Sequence, residues 1–283
     1  MKYSILLMLT ILINFFSQAQ IKTASGTGKP LVLGEVHEMR SVVLSEKRIL
    51  NIYLPEGYNK NDTITYPVVY LLDGGMNEDF IHVAGLYQFN SFSWINQVKP
   101  SIIVGIVNTD RKRDMTFPTT DTADKRRYPT AGHSDRFISF LEKELKPFVQ
   151  KQFKINNAST LIGESLGGLL AAEILLKRPD LFTKYIIVSP SLWWDNGSLL
   201  QYSTNALESI SLPEITVYIG VGKEGQTPND VPRIMEADAN YLAEQIRHVK
   251  NKMITLYFDY LPQENHATIM HQAVFNALRT MKK

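Results

Sequence analysis

The sequence predicts a doubly wound α/β fold, a mostly parallel sheet with helices on both faces and an antiparallel hairpin at one edge. Three observations carry that expectation. Short apolar runs alternate with helical patterns along the chain beyond residue 30. Two β-branched runs near the start are separated only by Ser45-Glu46-Lys47-Arg48, which reads as the hairpin. One short run passes through Gly163-Glu164-Ser165-Leu166-Gly167 into an Ala/Leu-rich helix, the pattern of a tight strand-to-helix turn.

The expected strands are Val36–Leu44, Ile49–Leu54, Val68–Leu72, Ile102–Val107, Thr160–Ile162, Tyr185–Val188, Thr216–Ile219 and Ile254–Tyr260. The later ones are short and continuously apolar, as parallel strands covered on both faces should be. Phe137, Ile138, Leu141, Leu145, Phe148 and Val149 form one helical stripe, which Pro147 is expected to kink or divide. Ile234, Tyr241, Leu242, Ile246 and Val249 form another, and a last helix over Thr268–Met281 closes the sheet. The irregular stretch Met115–His133 is long for a connector and is expected to form a partial lid.

A chain of 283 residues suits one domain with a sizeable core. A formal charge of +2 with no long charged run argues against a nucleic-acid partner. The absence of cysteine excludes disulfides, thiolate metal sites and a lipid-modified cysteine. Lys2, the apolar run Ile5–Phe16 and Ser17-Gln18-Ala19 read as a secretory signal cut after Ala19. An uncleaved anchor is the rival, but the run falls short of the ~20 apolar residues a span needs. A signal over 1–19, one domain over 20–283, no membrane span after cleavage and a secreted or periplasmic location are expected.

The segment Ser159-Thr160-Leu161-Ile162-Gly163-Glu164-Ser165-Leu166-Gly167-Gly168 resembles the nucleophile elbow of α/β-hydrolases. There a serine on a strained turn projects its hydroxyl at the carboxyl edge of the sheet, with glycines clearing space around it. A nucleophilic serine needs a base, and the base an orienting acid; in these enzymes they follow in the order serine, acid, histidine. Of six histidines, His266 alone lies directly after the last strand and before the closing helix. The acid is expected in the loop after Thr216–Ile219, where Glu224 comes first, flanked by glycine-rich sequence. Asp230 is the fallback, with helix capping as its ordinary role, and a Ser–His dyad is the remaining alternative. The oxyanion donors are expected to be the amides of Leu166 and Gly75, with Gly74 or Met76 open as substitutes for the second. No cofactor or metal is required, and no two-histidine motif has ligand spacing.

The resemblance extends further. Ile52-Tyr53-Leu54-Pro55-Glu56-Gly57-Tyr58, Tyr66 through Gly74, Ile103 through Arg111, Arg113-Asp114, Ser189-Pro190-Ser191-Leu192-Trp193-Trp194-Asp195 and Glu264-Asn265-His266 are similar to the esterase D-like branch of that fold, specifically to siderophore esterases that open enterobactin- and bacillibactin-like trilactones. This implies an α/β-hydrolase fold and a serine carboxylic-ester hydrolase, with Ser165 as nucleophile and His266 as base. Its substrate would be a small molecule, a siderophore lactone or small acyl ester. Acetyl or feruloyl esters of polysaccharides are the rival substrates, and a non-catalytic ligand-binding relative is the rival class. Relatives often carry histidine before the serine, where this chain has Glu164; a carboxylate facing the pocket would disfavour anionic ligands. Arg111 and Arg113 are candidates for holding an anionic group, with internal Arg–Asp pairing as the alternative. Trp193 and Trp194 are candidates for an aromatic wall, or for packing a long loop.

Overall fold

The computed structural model describes residues 28–209, 211–227 and 232–281. The expected signal segment and Asp230 lie outside the described residues. Gly28 to Val32 are exposed coil, and the chain from Leu33 onward forms one compact unit.

Eight strands make a single sheet in the order β1-β2-β4-β3-β5-β6-β7-β8. They are β1 (Glu35–Ser41), β2 (Glu46–Tyr53), β3 (Tyr66–Leu71), β4 (Ile102–Ile106), β5 (Ile155–Glu164), β6 (Lys184–Val188), β7 (Ile215–Gly222) and β8 (Ile254–Leu261). β1, β2 and β4 pair antiparallel, and every later pairing is parallel. This is the doubly wound sheet with an antiparallel edge hairpin that the sequence predicts. The direction of winding reverses beside β3, and ligands of such sheets bind outside the carboxyl ends of the strands at that point.

The helices are α1 (Phe80–Ser91), α2 (Arg111–Met115), α3 (Thr122–Arg127), α4 (Ser134–Phe140), α5 (Lys146–Gln152), α6 (Leu166–Lys177), α7 (Trp194–Gly197), α8 (Met235–Arg247) and α9 (Ile269–Thr280). α1 and α9 cover one face of the sheet over Val69, Leu71, Ile103, Ile162 and Ile186. α4, α6 and α8 cover the other over Val68, Tyr70, Val104, Leu161 and Ile187. Successive side chains of a strand point to opposite faces, which is why neighbours such as Leu161 and Ile162 enter different layers.

Two local expectations are corrected and a third is refined. The hairpin turns over Val42–Ser45, with Ser45 at φ 58°, so Arg48 lies inside β2 and is buried. β5 begins at Ile155; Ile155 to Ala158 are half-exposed or exposed and carry two asparagines, which hid them from an apolar pattern. The helical stripe is divided at Pro147, as expected, but by a change of helix type and not by a break in the chain of turns. A π-helical turn over Leu141–Leu145 joins α4 to α5, placing the proline, which has no N–H to return to the preceding turn, where α5 begins.

Candidate active site

β5 delivers Ser165 at φ 58°, ψ −116°, a conformation that costs on the order of 1–3 kcal/mol for a residue with a side chain. The backbone around it is fastened on two sides. Its N–H donates to Val188 O at 3.0 Å, and its carbonyl accepts from the amides of Leu169 and Ser191, each at 2.9 Å. The turn is this tight because Gly163 has no side chain: a Cβ there would stand 2.4 Å from Gly167 O.

Strand β8 ends at Leu261, and the loop after it brings His266 back over Ser165. His266 Nε2 lies 3.1 Å from Ser165 Oγ, and Nδ1 lies 2.7 Å from Glu224 Oε2. Glu224 sits just past β7 with a side chain only 2% exposed. Its other oxygen, Oε1, accepts from the Ser189 hydroxyl and from the Gly222 amide at 3.3 Å. Burial alone would raise the Glu224 pKa; hydrogen bonds from His266 and Ser189, the nearby imidazolium and the Gly222 N–H outweigh it and hold the carboxyl below its ordinary value. His266 is raised above the ordinary imidazole value. Its hydrogen bond to Glu224 does most of this, with the Glu224 and Glu164 charges adding to it, while burial and Arg111 oppose. The structure thus brings Ser165, His266 and Glu224 into one hydrogen-bonded line.

The acid and histidine loops are packed against each other. Lys223 N–H donates to Glu264 O at 2.8 Å, and a Cβ on Gly222 would come within 2.7 Å of the same oxygen. Glu236, in the first turn of α8, accepts from the amides of Glu224 at 2.8 Å and of Gly225, fixing the acid loop from below.

Leu166 begins α6, so its amide belongs to the first turn of N–H groups that have no partner within the helix. Gly75 is a correction. Its amide donates to Glu78 Oε2 at 2.9 Å, and the Gly74 amide donates to Ile106 O at 3.0 Å. Of the amides of Gly74, Gly75 and Met76, that of Met76 has no partner among the described residues.

The flanking candidates are corrected too. Arg113 forks onto Glu46 through Nη1 and Nη2 and reaches Asp114 through Nε, so its donors serve the hairpin and not a ligand. Arg111 does reach the site, but its Nε and Nη2 clamp Asp73 at 2.6 and 2.9 Å and Nη2 also donates to Glu164 O. It positions Asp73, which sits beneath the elbow at φ 52° and also accepts from Asn108. Trp194 is 1% exposed and gives its indole N–H to Phe117 O; Trp193 is buried beside it, the rings 6.3 Å apart. The pair packs the loop after β6. The expected lid at 115–133 is held down by the same loop, with Thr119 and Thr120 bonded to Asp195 and Phe117 buried.

Two residues at the site escaped the sequence reading. Ser189 follows β6 at φ 40° and bonds Glu224; Ser191, buried, has its Oγ 3.2 Å from Ser165 Oγ. Both lie in the segment Ser189 to Asp195, beside the two tryptophans. Two small hydroxyl residues at the carboxyl end of the strand next to the elbow were the available signal.

Comparison with known proteins identifies the family and similar folds. The Esterase family model matches residues 41–275. The chain is 28% identical over 93% of its length to the ferri-bacillibactin esterase BesA of Bacillus subtilis, covering 94% of that protein. The crystal structure of an IroE-like serine hydrolase from Shewanella oneidensis superposes with a TM-score of 0.77 at 30% identity, covering 88% of this chain and 80% of that one. The BES protein of Bacillus cereus gives 0.79 at 28% identity, covering 92% and 99%.

Proposed function

The chain belongs to the Esterase family and is a carboxylic ester hydrolase, and we propose that it works through a covalent acyl-enzyme on Ser165. The observation that carries this reading is the line Ser165 Oγ, His266 Nε2, His266 Nδ1, Glu224 Oε2, with contacts of 3.1 and 2.7 Å at an elbow held at positive φ. In the neutral imidazole that this line requires, Nδ1–H donates to Glu224 and Nε2 accepts the Ser165 proton. Ser165 Oγ then attacks the ester carbonyl, and the developing oxyanion is met by the amides of Leu166 and Met76. The imidazolium, stabilised by Glu224, returns its proton to the leaving alcohol. A water activated by the neutral His266 releases the acid and restores the serine.

The substrate is a siderophore lactone or a small acyl ester. Support comes from the near full-length likeness to a protein named as a ferri-bacillibactin esterase. The chain acts outside the cytoplasm after loss of residues 1–19, a reading supported by Lys2, the run Ile5–Phe16 and the small residues before Gln20. A mass measurement of the exported protein that starts at Gln20 is the expected result for that part.

The experiment for the mechanism is hydrolysis of p-nitrophenyl acetate and butyrate by the protein and by Ser165→Ala, with a fluorophosphonate probe beside it. Turnover and labelling by the parent, both lost in Ser165→Ala, are expected; turnover that survives the substitution overturns the serine mechanism. Metal-free siderophore trilactones against methyl ferulate and acetylated xylan then test the substrate class. Preference for the glycan-type esters would overturn the siderophore reading.

A further inference from the structure

The carboxylates around Ser165 differ in one respect. Asp73 is clamped by Arg111, Glu78 accepts from the Gly75 amide and Asn108, Asp79 is bonded to His82 at 3.0 Å, and Glu224 is held by His266 and Ser189. The Glu164 carboxylate accepts no hydrogen bond from any described residue, although it stands immediately before Ser165 and is only partly exposed. Strand alternation sends its side chain to the face entered by Ile162, the face covered by α1 and α9. There it is faced by Asp79 at the start of α1, Asp73 at the exit of β3, His266 in the loop before α9 and Arg111 of α2. Burial first, then repulsion from Asp79 and Asp73, against the attraction of His266 and Arg111, pushes its carboxyl up to about 7. Arg111 is not available as a counter-ion, because its fork is closed on Asp73.

A partly buried carboxylate without a donor is costly to desolvate further, and the cost falls when an incoming group supplies the missing hydrogen bond. An incoming anion makes it worse. We propose that Glu164 determines specificity at the ester site by accepting a hydrogen bond or ion pair from an N–H, O–H or ammonium group that the substrate carries close to its scissile carbonyl, so that donor-bearing neutral and cationic esters are selected over anionic ones. This rests on the serine ester mechanism above. A multiply anionic ferric tris-catecholate is on this account a poorer substrate than the corresponding metal-free lactone.

The test compares p-nitrophenyl esters of 4-(trimethylammonio)butyrate, butyrate and glutarate, which place a positive, no, or negative charge at similar reach. The readout is kcat/KM for the charged esters relative to butyrate, so that the shared requirement for neutral His266 cancels. With the full chain, the cationic-to-anionic ratio should exceed about tenfold near pH 8 and shrink severalfold near pH 6, as Glu164 takes up its proton. In Glu164→Gln the ratio should collapse towards unity and lose its pH dependence. A parent ratio near unity, one independent of pH, or one kept in Glu164→Gln overturns the assignment. Should Glu164→Gln not fold, the pH dependence of the parent ratio decides alone. A parent that hydrolyses none of the three esters and takes no fluorophosphonate overturns the serine mechanism and this inference with it, whereas turnover without charge discrimination overturns only the role of Glu164.

Discussion

Ser189 donates its hydroxyl to Oε1 of Glu224, the carboxylate oxygen that His266 leaves free, so β6 and the loop after β8 hold one acid between them. With the Gly222 amide on Oε1 as well, the carboxylate is oriented before any substrate arrives. Hydrogen bonds to charged groups contribute ~1.5–3 kcal/mol. Ser189→Ala should therefore lower kcat about tenfold or more with little change in KM, because it loosens the acid and touches no substrate. A matched rise in KM, or no loss of kcat, in steady-state kinetics with p-nitrophenyl butyrate would count against this orienting role.

Glu224→Gln should act more strongly and leave a signature in pH. The amide cannot stabilise the imidazolium or enforce the Nδ1–H tautomer, so kcat should fall at least about a hundredfold. The direction of the pH change follows from His266, whose pKa is raised mainly by Glu224. The active form is the neutral imidazole, so the parent loses kcat/KM as pH falls through a midpoint above the ordinary histidine value. Without the Glu224 charge that midpoint should move to lower pH. A profile of kcat/KM whose acid limb stays in place would show that Glu224 does not govern the histidine.

Much of this site is legible in the sequence because chain order encodes it. Gly163-Glu164-Ser165-Leu166-Gly167 between a strand and a helix can be recognised locally, and His266 follows from its address after the last strand. Continuously apolar β6 and β7 stand out for the same reason that they are buried on both faces. What escaped depends on contacts far apart in sequence. The sequence can place Ser189 at the carboxyl end of its strand but not opposite Glu224, and Gly75 reads as a free amide until Glu78 folds back on it. Helix α1 escaped because Phe80, Ile81, Val83, Leu86, Tyr87 and Phe89 surround it with apolar residues and leave no single stripe; Ile81 and Phe89 are in fact exposed. Arg48 was expected in a turn, yet it is 1% exposed, since burial of a charge depends on the partners that meet it.

Those partners make a stability prediction. Arg48 Nη1 bonds Asp114 at 2.6 Å and Glu46 at 2.9 Å, with its guanidinium over the rings of Phe137 and Phe140. Removing one member of a buried pair strands the other, at about 3–5 kcal/mol. Asp114→Ala should cost about 3 kcal/mol in urea unfolding, near the lower end because Glu46 remains. Lys47→Ala breaks an exposed pair with Glu38 and should cost less than about 1 kcal/mol. Equal midpoints for the two variants would contradict the ranking.

The second oxyanion donor can be tested by removing one hydrogen. Glu78 N–H donates to Gly75 O at 3.0 Å, which makes Gly75 to Glu78 a β-turn with Met76 at its second position. Proline is favoured at that position and lacks an N–H, so Met76→Pro deletes the amide donor while suiting the turn that presents it. The Gly75 amide and its bond to Glu78 are left in place. Losing one oxyanion donor costs about a hundredfold to a thousandfold in kcat, with KM less affected, since the bond forms fully only as charge develops on the carbonyl oxygen. Met76→Pro should show that split while retaining the parent's urea midpoint, and Met76→Ala, which keeps the N–H, should retain most of the activity. Full kcat in Met76→Pro would return the role to Gly75 and require Glu78 to release it when substrate binds; loss of activity in both variants would point to the methionine side chain instead of its amide.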